Sequence, residues 1–413
     1  MKNHIINSLL TLILLSSSVK AADFFVYSSA QAPDYSTIQS AVNAASNNDN
    51  IYIDSTVFAE NVTIDKSLSF YPLNKGSRYT INGGLTLDFL NNTSIYIQGL
   101  DGAGISSTFN GSNSDSATII INDCSFTGVV DLNPNSSIHS FIYYSEFDAY
   151  VEFDHAELIG NDFNNQVRVS INQDVVNNPP KVKIYANSFY LFNSSNNIFH
   201  QLEIDFAENA DIHIANNVFN GYNNHGDNIR IMASSGIYTN KVLIENNTIY
   251  KSSSSTSVYA KQNINIYYCD YLTVRNNYFN NQNSDRRIQC AYVGVRNIES
   301  NVCNLTYDFT NCLSNTCGSI ISQNNIQSNP LSYNSSTGVV TSASDGGADI
   351  YECRDIDNTI NDIGTYGGPH SWSNYHNNSN SPSQIIDLEI PYYMLVLPGT
   401  TLEFNSKAIH KNE

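Results

Sequence analysis

The chain is poor in charged residues, and the few that it has are unevenly divided between the two signs. Only 14% of its 413 residues are Asp, Glu, Lys or Arg, against about 25% in a typical soluble protein. Lys and Arg number 19 against 38 Asp and Glu, which gives a formal net charge of -19. The basic residues form no run. Because a strongly acidic chain is repelled by phosphate, we expect neither a nucleic-acid partner nor an anionic membrane surface as partner.

The chain also has one Trp, three Met and ten Pro. Its polar surface is supplied mainly by Asn, Ser and Thr, and hydrophobic residues make up 41% of the sequence, with 27 Tyr and 19 Phe. This apolar content excludes wholesale disorder. A length of 413 residues allows two or three ordinary domains, or one elongated domain built by repetition.

Long apolar runs are missing except at the N-terminus. Lys2 precedes a mostly apolar stretch at 5–15, and a small-residue site follows at 19–21. This order is typical of a secretory signal peptide, so residues 1–21 are predicted to be removed by cleavage after Ala21. A short membrane anchor is the alternative, but the run is well below the ~20 residues that span a bilayer. We therefore expect a secreted, periplasmic or cell-surface protein without a membrane span.

Seven cysteines follow this segment. Six of them lie between 269 and 353, which is typical of disulfides formed in an oxidising compartment, although spacing does not give the pairing. The six are Cys269, Cys290, Cys303, Cys312, Cys317 and Cys353. Cys124 stands apart in an apolar stretch and is predicted to be a buried free thiol. A metal site is the alternative, but the spacing matches no CxxC pair.

A short pattern recurs along the chain: alternating apolar residues, then Asn-Asn or a close equivalent, then one residue and an apolar residue. The clearest copies cover 212–219, 242–249 and 272–279. Weaker copies end at Phe126, Phe147, Phe163, Phe189, Phe199, Cys303 and Ile326. Each copy is one strand with a period of two, too short to be stable alone.

Stacking these copies would create two inward columns of apolar residues. The columns are Ile212, Val242 and Leu272, and beside them Ile214, Ile244 and Val274. The Asn positions at the bend would stack as well, with their amides bonded along the column. Such an arrangement is an all-β solenoid, a parallel β-helix with a coil of roughly twenty residues. Leucine-rich repeats are the alternative, but the Leu spacing is absent, and a β-sandwich would need hairpin turns that the chain lacks.

The same alignment predicts two outward columns. One contains Glu157, Lys183, His213, Leu243 and Thr273, and the other contains Glu245, Arg275 and Glu299. Because neighbouring coils lie about 4.8 Å apart, the second column is expected to form an exposed row of ion pairs. Such a surface row contributes about 0–1 kcal/mol per pair to stability. A catalytic role for the row is the alternative.

The ends of a solenoid expose its core and need caps. The stretch 34–45 has an apolar helical face, and Ser36 or Thr37 can cap its start. We expect this short helix to cover the first coil. At the other end, residues 385–409 hold two apolar runs around Pro398-Gly399 and predict a hairpin or small appended β module.

Two segments resemble the pectin-lyase-like superfamily of right-handed parallel β-helices. The string YSTIQSAVNAASNNDNIYI, followed by ENVTIDKSLSF, is similar to that superfamily's usual entry, and 355–369 is similar to the closing segment of many secreted bacterial β-helix proteins. With the repeats, the resemblance covers about 34–369. It implies a right-handed β-helix. It selects no activity, because the superfamily includes lyases, hydrolases, esterases, epimerases and non-catalytic surface proteins.

These observations predict the following organisation. Residues 1–21 form the signal peptide, 22–50 the N-terminal cap, 51–330 the parallel β-helix, 331–370 the terminal coil and cap, 371–384 a linker, and 385–413 the C-terminal β hairpin or module.

The sequence motifs of the superfamily's known chemistries are missing. The Gly-His-Gly and paired-Asp motifs of polygalacturonases, the Asp-Phe-Ile-Phe-Gly run of pectin methylesterases, and the Trp-Ile-Asp-His and Arg-x-Pro-x-x-Arg signatures of one pectate-lyase group have no match. No P-loop, HExxH, GxSxG or EF-hand pattern is present either.

One dense cluster of titratable residues remains. It consists of Asp205, Asp211, His213, His225, Asp227 and Arg230, which lie within one to two coils. A β-eliminating lyase needs a base for the uronate α-proton and cations beside the carboxylate, which His or Arg with Asp-bound Ca²⁺ could supply. A glycoside hydrolase needs two facing carboxylates, which Asp211 and Asp227 could be. Solvated loop groups without a catalytic role are the alternative.

Three functions follow from this pattern. The leading one is a secreted, monomeric β-helix protein that binds or processes a polysaccharide or cell-surface glycan, as a lyase or hydrolase does. The second is a non-catalytic surface or adhesion protein in which the β-helix is a rigid scaffold. The third is a module that a protein partner recognises.

Overall fold

The computed structural model describes the chain in segments. These are residues 21–29, 35–90, 92–110, 116–132, 138–171, 181–191, 200–206, 210–221, 226–233, 239–251, 262–281, 288–303, 310–312, 320–323, 326–327, 346–349, 355, 359–372, 384–389 and 405–409. They form an all-β structure with one short helix. In these segments, no helix combines the length and apolarity needed to cross a membrane.

The helix is α1 (Ile38–Ala44). The strands are β1 (Asp23–Val26), β2 (Asp49–Ile53), β3 (Val57–Phe58), β4 (Val62–Ile64), β5 (Leu68–Pro72), β6 (Tyr79–Ile81), β7 (Leu85–Phe89), β8 (Ser94–Gln98), β9 (Leu100–Gly102), β10 (Ile105–Phe109), β11 (Ala117–Asn122), β12 (Ser125–Phe126), β13 (Val130–Leu132), β14 (Ile138–Tyr143), β15 (Glu146–Phe147), β16 (Val151–Asp154), β17 (Ala156–Ile159), β18 (Asp162–Phe163), β19 (Val167–Ile171), β20 (Lys181–Tyr185), β21 (Ser188–Leu191), β22 (Leu202–Phe206), β23 (Asp211–Ala215), β24 (Val218–Gly221), β25 (Ile229–Ala233), β26 (Thr239–Glu245), β27 (Thr248–Lys251), β28 (Ile264–Arg275), β29 (Tyr278–Asn281), β30 (Ile288–Glu299), β31 (Val302–Cys303), β32 (Thr310–Cys312), β33 (Ile320–Gln323), β34 (Ile326–Gln327), β35 (Gln384–Glu389) and β36 (Asn405–Ile409).

Each turn of the chain contributes one strand to each of three parallel ladders. Ladder A contains β1, β2, β5, β8, β11, β14, β17, β20, β23, β26, β33 and the second halves of β28 and β30. Ladder B is the 12-stranded sheet from β3 to β34. Ladder C contains β4, β7, β10, β13, β16, β19, β22, β25, β32 and the first halves of β28 and β30. Ladders A and C belong to one 22-stranded sheet, because β28 and β30 run through both. Long parallel sheets of this kind are consistent with a parallel β-helix.

The register confirms the predicted inward columns. Ile214 pairs with Ile244, and Ile244 pairs with Val274. All three side chains are fully buried. The outward column predicted from Glu157 to Thr273 is also in register, coil after coil. The alternation of a strand therefore decides which side chains reach the core and which face outward.

From β8 to β30, each strand of ladder A turns into ladder B through a two-residue corner. The first corner residue has a left-handed backbone, with φ between 48° and 70°. These residues are Gly99, Asp123, Tyr144, Gly160, Ala186, Asn216, Asn246, Asn276 and Ser300. Gly and Asn adopt this conformation at the lowest steric cost. The sharp bend turns the second corner residue into the core.

The second corner residues form the predicted amide ladder. From the middle of the chain they are Asn161, Asn187, Asn217, Asn247, Asn277 and Asn301, all buried. The backbone and side-chain nitrogens of Asn247 both donate to Oδ1 of Asn277, at 2.9 and 3.0 Å. Asn247 Nδ2 also donates to the carbonyl oxygens of Ile214 and Glu245, at 3.0 and 2.9 Å. Each amide thus satisfies backbone groups that would otherwise be buried without partners.

Aromatic rings fill the core beside this corner. Phe126, Phe147, Phe163, Phe189 and Phe219 stack with centroid separations of 5.4, 5.1, 5.2 and 4.6 Å. All five side chains are buried. Stacked and offset aromatic pairs stabilise a core beyond their buried area by about 0.5–1.5 kcal/mol each.

The cysteine prediction is confirmed at Cys124 and wrong at Cys269. Cys124 is a buried free thiol at the ladder corner, where its sulfur lies 3.3 Å from the Asn122 carbonyl oxygen. Cys269 is also free and buried, against the expected disulfide. Cys269 and Cys290 both belong to the apolar core, where a cysteine acts as a small hydrophobic residue. The side chains of the remaining four cysteines lie outside the described residues.

The predicted N-terminal helix is present as α1. Thr37 caps it by accepting a hydrogen bond from the Ser40 amide at 3.2 Å. The Glu60 carboxylate accepts hydrogen bonds from the first two helix amides, at 2.7 and 3.0 Å. Strands β35 and β36 pair in an antiparallel hairpin. The roles of the helix as a cap and of the hairpin as an appended module stay predictions.

We expect Ile244→Asp to lower the free energy of unfolding by several kcal/mol, because it buries an unpaired charge in the inward column. Thr273→Asp is the matched control, since Thr273 occupies an outward and half-buried position. Urea unfolding followed by circular dichroism measures both. Equal losses of stability in the two variants would contradict the assignment of inward and outward columns.

We expect Cys124 and Cys269 to resist thiol reagents in the native protein. Burial raises the pKa of Cys124 and of Cys269 to about 12, so both thiols stay protonated at neutral pH. After denaturation without reductant, both should react, and peptide mapping identifies them. A disulfide-linked peptide that contains either of the two would show that the thiols are not free.

Candidate functional site

The structure divides the predicted cluster between two faces of the coil. Asp211 and His213 lie on β23 in ladder A, whereas Asp205, Asp227 and Arg230 lie on or beside strands of ladder C. His225 lies outside the described residues. Residues close in sequence separate in this way because the chain travels around the coil between the two ladders. Asp211 and Asp227, the pair that a hydrolase would need, therefore lie on different ladders.

A pocket lies on the outer face of ladder A, around the two predicted residues of that face. It is open and has a volume of about 170 Å³. Its walls are made by Lys181, Val182, Lys183, Tyr185, Asp211, Ile212, His213, Lys241 and Leu243. These residues come from three consecutive strands of ladder A, β20, β23 and β26.

Three lysines make the pocket locally positive. Lys181 and Lys241 are register neighbours of Asp211 on its two sides, and Lys183 is the register neighbour of His213. The whole chain has only 19 Lys and Arg for 38 acidic residues. Three of these cations line one pocket together with a single carboxylate, so the lining has a net positive charge. A cleft of one sign concentrates ligands of the opposite charge.

His213 lies at the centre of a chain of hydrogen bonds beside the pocket. Its Nδ1 lies 2.7 Å from the Tyr185 hydroxyl, and its Nε2 lies 2.7 Å from Glu245 Oε1. The other oxygen of Glu245 accepts a hydrogen bond from Arg275 Nε at 2.8 Å. An ionised Glu245 accepts only, so Nε2 carries a proton; when the ring is neutral, Nδ1 accepts the hydrogen bond of the Tyr185 hydroxyl. We call these four residues the Tyr185–Arg275 relay.

The predicted charge row is in register but is not exposed. Glu245, Arg275 and Glu299 follow one another on ladder A as expected. However, Glu245 is 7% and Glu299 5% exposed, and the Arg275 side chain is 15% exposed. The predicted register is therefore confirmed, but the prediction that these side chains are exposed is wrong. The physical reason is a distant segment, 359–372, which covers the neighbouring corner.

The segment 359–372 lies along the corner between ladders A and B. Asn216 Nδ2 donates to the Thr365 carbonyl oxygen at 3.0 Å, and Asn246 Nδ2 donates to Asn361 Oδ1 at 2.6 Å. The Gly364 amide donates to the Asn276 carbonyl oxygen at 2.8 Å. The left-handed Asn residues of three successive corners thus hold the segment.

Burial alone would raise the pKa of Glu245. Hydrogen bonds and charges from His213 and Arg275 outweigh that effect and lower the pKa to about 2. Glu245 is therefore ionised at neutral pH. It is positioned to hold the Nε2 proton of His213 and to stabilise a positive charge on that ring.

The segment 359–372 also places aromatic side chains on the relay. The His370 ring stacks on Tyr185 with centroids 4.2 Å apart and meets His213 edge-on at 5.8 Å. Trp372 is 9% exposed and packs in one apolar cluster with Tyr185. Tyr185 is consequently only 4% exposed, whereas the His213 side chain is 25% exposed. Sequence reasoning missed His370 and Trp372, because their contacts with the relay depend on the folding back of a remote segment.

The predicted residues Asp205 and Arg230 of ladder C belong to a network of ion pairs. Arg168 Nη2 and Nε donate to the same oxygen of Asp205, at 2.7 and 2.9 Å. Arg230 Nη1 lies 3.3 Å from Glu203 Oε1 and donates to His200 Nε2 at 2.7 Å. Burial lowers the pKa of His200 to about 4, so this ring is neutral at neutral pH. The carboxylates and guanidinium groups here partner one another.

Asp227 has a structural role in the described residues. Its two carboxylate oxygens accept hydrogen bonds from the Gln262 amide and from Asn265 Nδ2, both at 2.9 Å. These bonds tie it to the next coil. The described residues contain no group of three or more His, Cys, Asp or Glu side chains arranged to hold a metal ion.

We expect Glu245→Gln to change how stability depends on pH. The folded-state pKa of about 2 lies below the ordinary value of 4.5, so the ionised Glu245 contributes stability above about pH 5, and this contribution is lost as the pH falls towards 2. Glu245→Gln should be less stable than the wild type at pH 6, with a difference that shrinks by pH 3. Urea unfolding at several pH values measures this difference. A difference that stays constant across the range would show that Glu245 is not held ionised by its partners.

No protein-family model, curated protein or solved structure matches this chain. The similarity to the pectin-lyase-like superfamily stays a resemblance in two segments and a repeat.

Proposed function

We propose that the chain is a secreted β-helix protein that binds an acidic polysaccharide in the ladder A pocket and cleaves it by β-elimination. The observation that supports this most directly is the placement of three lysines beside the Tyr185–Arg275 relay. The lysines supply positive charge where a uronate carboxylate would bind, and the relay supplies a path for a proton. Both requirements of an elimination reaction meet on four neighbouring strands of ladder A, β20, β23, β26 and β28.

The lysines stabilise the charge that develops during proton removal. Abstraction of the proton next to a uronate carboxylate moves negative charge onto the carboxylate oxygens. Lys183 is the register neighbour of His213 and so is the cation best placed to neutralise that charge. Fixed positive groups aimed at developing charge are commonly the largest contribution to a catalysed rate.

The relay accepts the proton. The Tyr185 oxygen takes the proton from the sugar carbon while its own hydroxyl proton passes to His213 Nδ1. The resulting imidazolium is stabilised by the ionised Glu245. The electron pair of the broken C–H bond forms the new carbon–carbon double bond, and the glycosidic oxygen leaves and takes up the proton that the relay releases. No oxidant or reductant is required.

The proposal includes the finer features that the sequence predicts. The β-helix is right-handed and pectin-lyase-like, α1 covers its first coil, and the protein acts outside the cytoplasm as a monomer. Ca²⁺ is a candidate cofactor for the reaction. A non-catalytic surface or adhesion protein is the alternative function.

We expect the wild-type protein to release unsaturated products from at least one member of a panel that contains polygalacturonate, alginate and neutral polysaccharides. Unsaturated uronates are measured by ultraviolet absorbance and new reducing ends by a colorimetric assay, with and without EDTA. Reducing ends without unsaturated products would indicate hydrolysis instead. Binding without any product would favour the non-catalytic alternative, and loss of products in EDTA would show that a divalent cation takes part.

We expect His213→Ala to lower turnover by about 10²-fold or more, because it removes the central group of the relay. Lys183→Ala should weaken substrate binding, and the effect should diminish at high salt because the contact is electrostatic. Thr273→Ala is the matched control, as Thr273 lies outward on ladder A two coils from His213. Loss of activity in Asp227→Ala but not in His213→Ala would move the site to ladder C.

A further inference from the structure

A row of aromatic rings lies on the outer face of ladder A near its N-terminal end. Phe25, Tyr52, Tyr71 and Tyr96 follow one another, with ring centroids 5.5, 5.5 and 5.2 Å apart. Phe25 is 36% exposed, and the three tyrosines are half-buried. We call these four residues the aromatic row.

The aromatic row leads into the lysine pocket along the same face. Tyr96 pairs with Ile120, and Ile120 pairs with Phe141. The column then continues through Glu157 and Lys183 to His213. The register partner of Tyr96 on β5 is Ser69, two residues before Tyr71, so the line of outward positions shifts by two residues between β5 and β8. Beyond this shift, apolar side chains give way to charged side chains at the pocket.

We propose that the aromatic row is a binding subsite for an extended polysaccharide chain whose distal part lies in the lysine pocket. This inference rests on the proposed function of that pocket and adds to it the length of the substrate. Phe25 and His213 are separated by eight coil steps, which is about 38 Å at about 4.8 Å per step. Only a polymer, and not a short oligosaccharide, can contact both ends of the line.

The chemistry of the row suits a sugar chain. The stacked rings present apolar edges to solvent, and three of the four carry a hydroxyl group at the tip. Sugars likewise combine apolar C–H faces with hydroxyl groups that donate and accept hydrogen bonds, and amphipathic aromatic side chains match such a surface. The spacing of one ring per coil is comparable with the length of one sugar ring in an extended chain.

A second copy of the protein is a poorer occupant. The formal net charge of -19 opposes self-association at low ionic strength. The strands that carry the row are already paired with their neighbours in ladder A, so a second copy would gain no backbone hydrogen bonds there. Continuity with the lysine pocket favours a chain that runs along the solenoid.

The test compares a long and a short substrate. The probes are polygalacturonate, or whichever panel polymer the wild type cleaves or binds, and its purified trisaccharide, which is too short to span the line. The double variant Tyr52→Ala/Tyr71→Ala removes two central rings. Tyr190→Ala is the matched control, because Tyr190 is a half-buried tyrosine of ladder B. Circular dichroism and thermal unfolding verify that the variants are folded, and Tyr52→Phe/Tyr71→Phe keeps the rings if the alanine variant does not fold.

We expect the double alanine variant to raise KM for the polymer by about tenfold or more, the loss of about 1.4 kcal/mol of binding, with little change in kcat for either substrate and no change in KM for the trisaccharide. The phenylalanine variant should lie between the wild type and the alanine variant. Tyr190→Ala should match the wild type.

Three results would overturn the inference. The first is equal loss on polymer and trisaccharide, which would point to a general structural defect. The second is unchanged polymer binding in the double variant. The third is a wild-type dimer that the double variant disrupts without loss of polymer binding, as measured by sedimentation. A wild type that binds the polymer through the row but cleaves nothing would retain the subsite and refute the proposed elimination, so the two failures are distinguishable.

Discussion

The amide ladder at the corner between ladders A and B is the interaction on which the rest of the structure depends. A coil must reverse direction there, and the bend leaves backbone groups pointing into the core. Asn217 and Asn247 satisfy those groups while also bonding to the Asn of the next coil. Because the same bonds fix the height of each coil over the next one, the inward columns of ladder A stay in register.

The outer half of the same corner organises the candidate site. Asn216 and Asn246 have left-handed backbones, and their side chains bind the segment 359–372. That segment buries Glu245 beside them and brings His370 onto Tyr185. The same two-residue turn is repeated in successive coils. Its second residue stabilises the core, and its first residue binds the segment that lies beside the site.

The fold could be predicted from sequence to the extent that its signals are local. The alternating apolar residues and the Asn-Asn pair both lie within one stretch of eight residues, so the column of Ile214, Ile244 and Val274 was predictable. The site was not, because its groups come from separate coils and from a remote segment. Sequence proximity grouped His213 with Asp227, which the coil places on another face. Alignment correctly put Glu245 in a charged row, but nothing local indicates that 359–372 covers it.

The ladder changes composition along the chain, and this bears on the order in which the coils open. Asn residues occupy the corner from Asn161 onward, whereas Cys124 and Ser145 occupy it in the two preceding coils. A thiol is a weak hydrogen-bonding group, and a hydroxyl has one donor where an amide has two. In a stack where each coil contacts only its neighbours, fraying can start at whichever end is bonded more weakly. The coils before Asn161 therefore form the less protected end of the solenoid, and we expect unfolding to begin at that end.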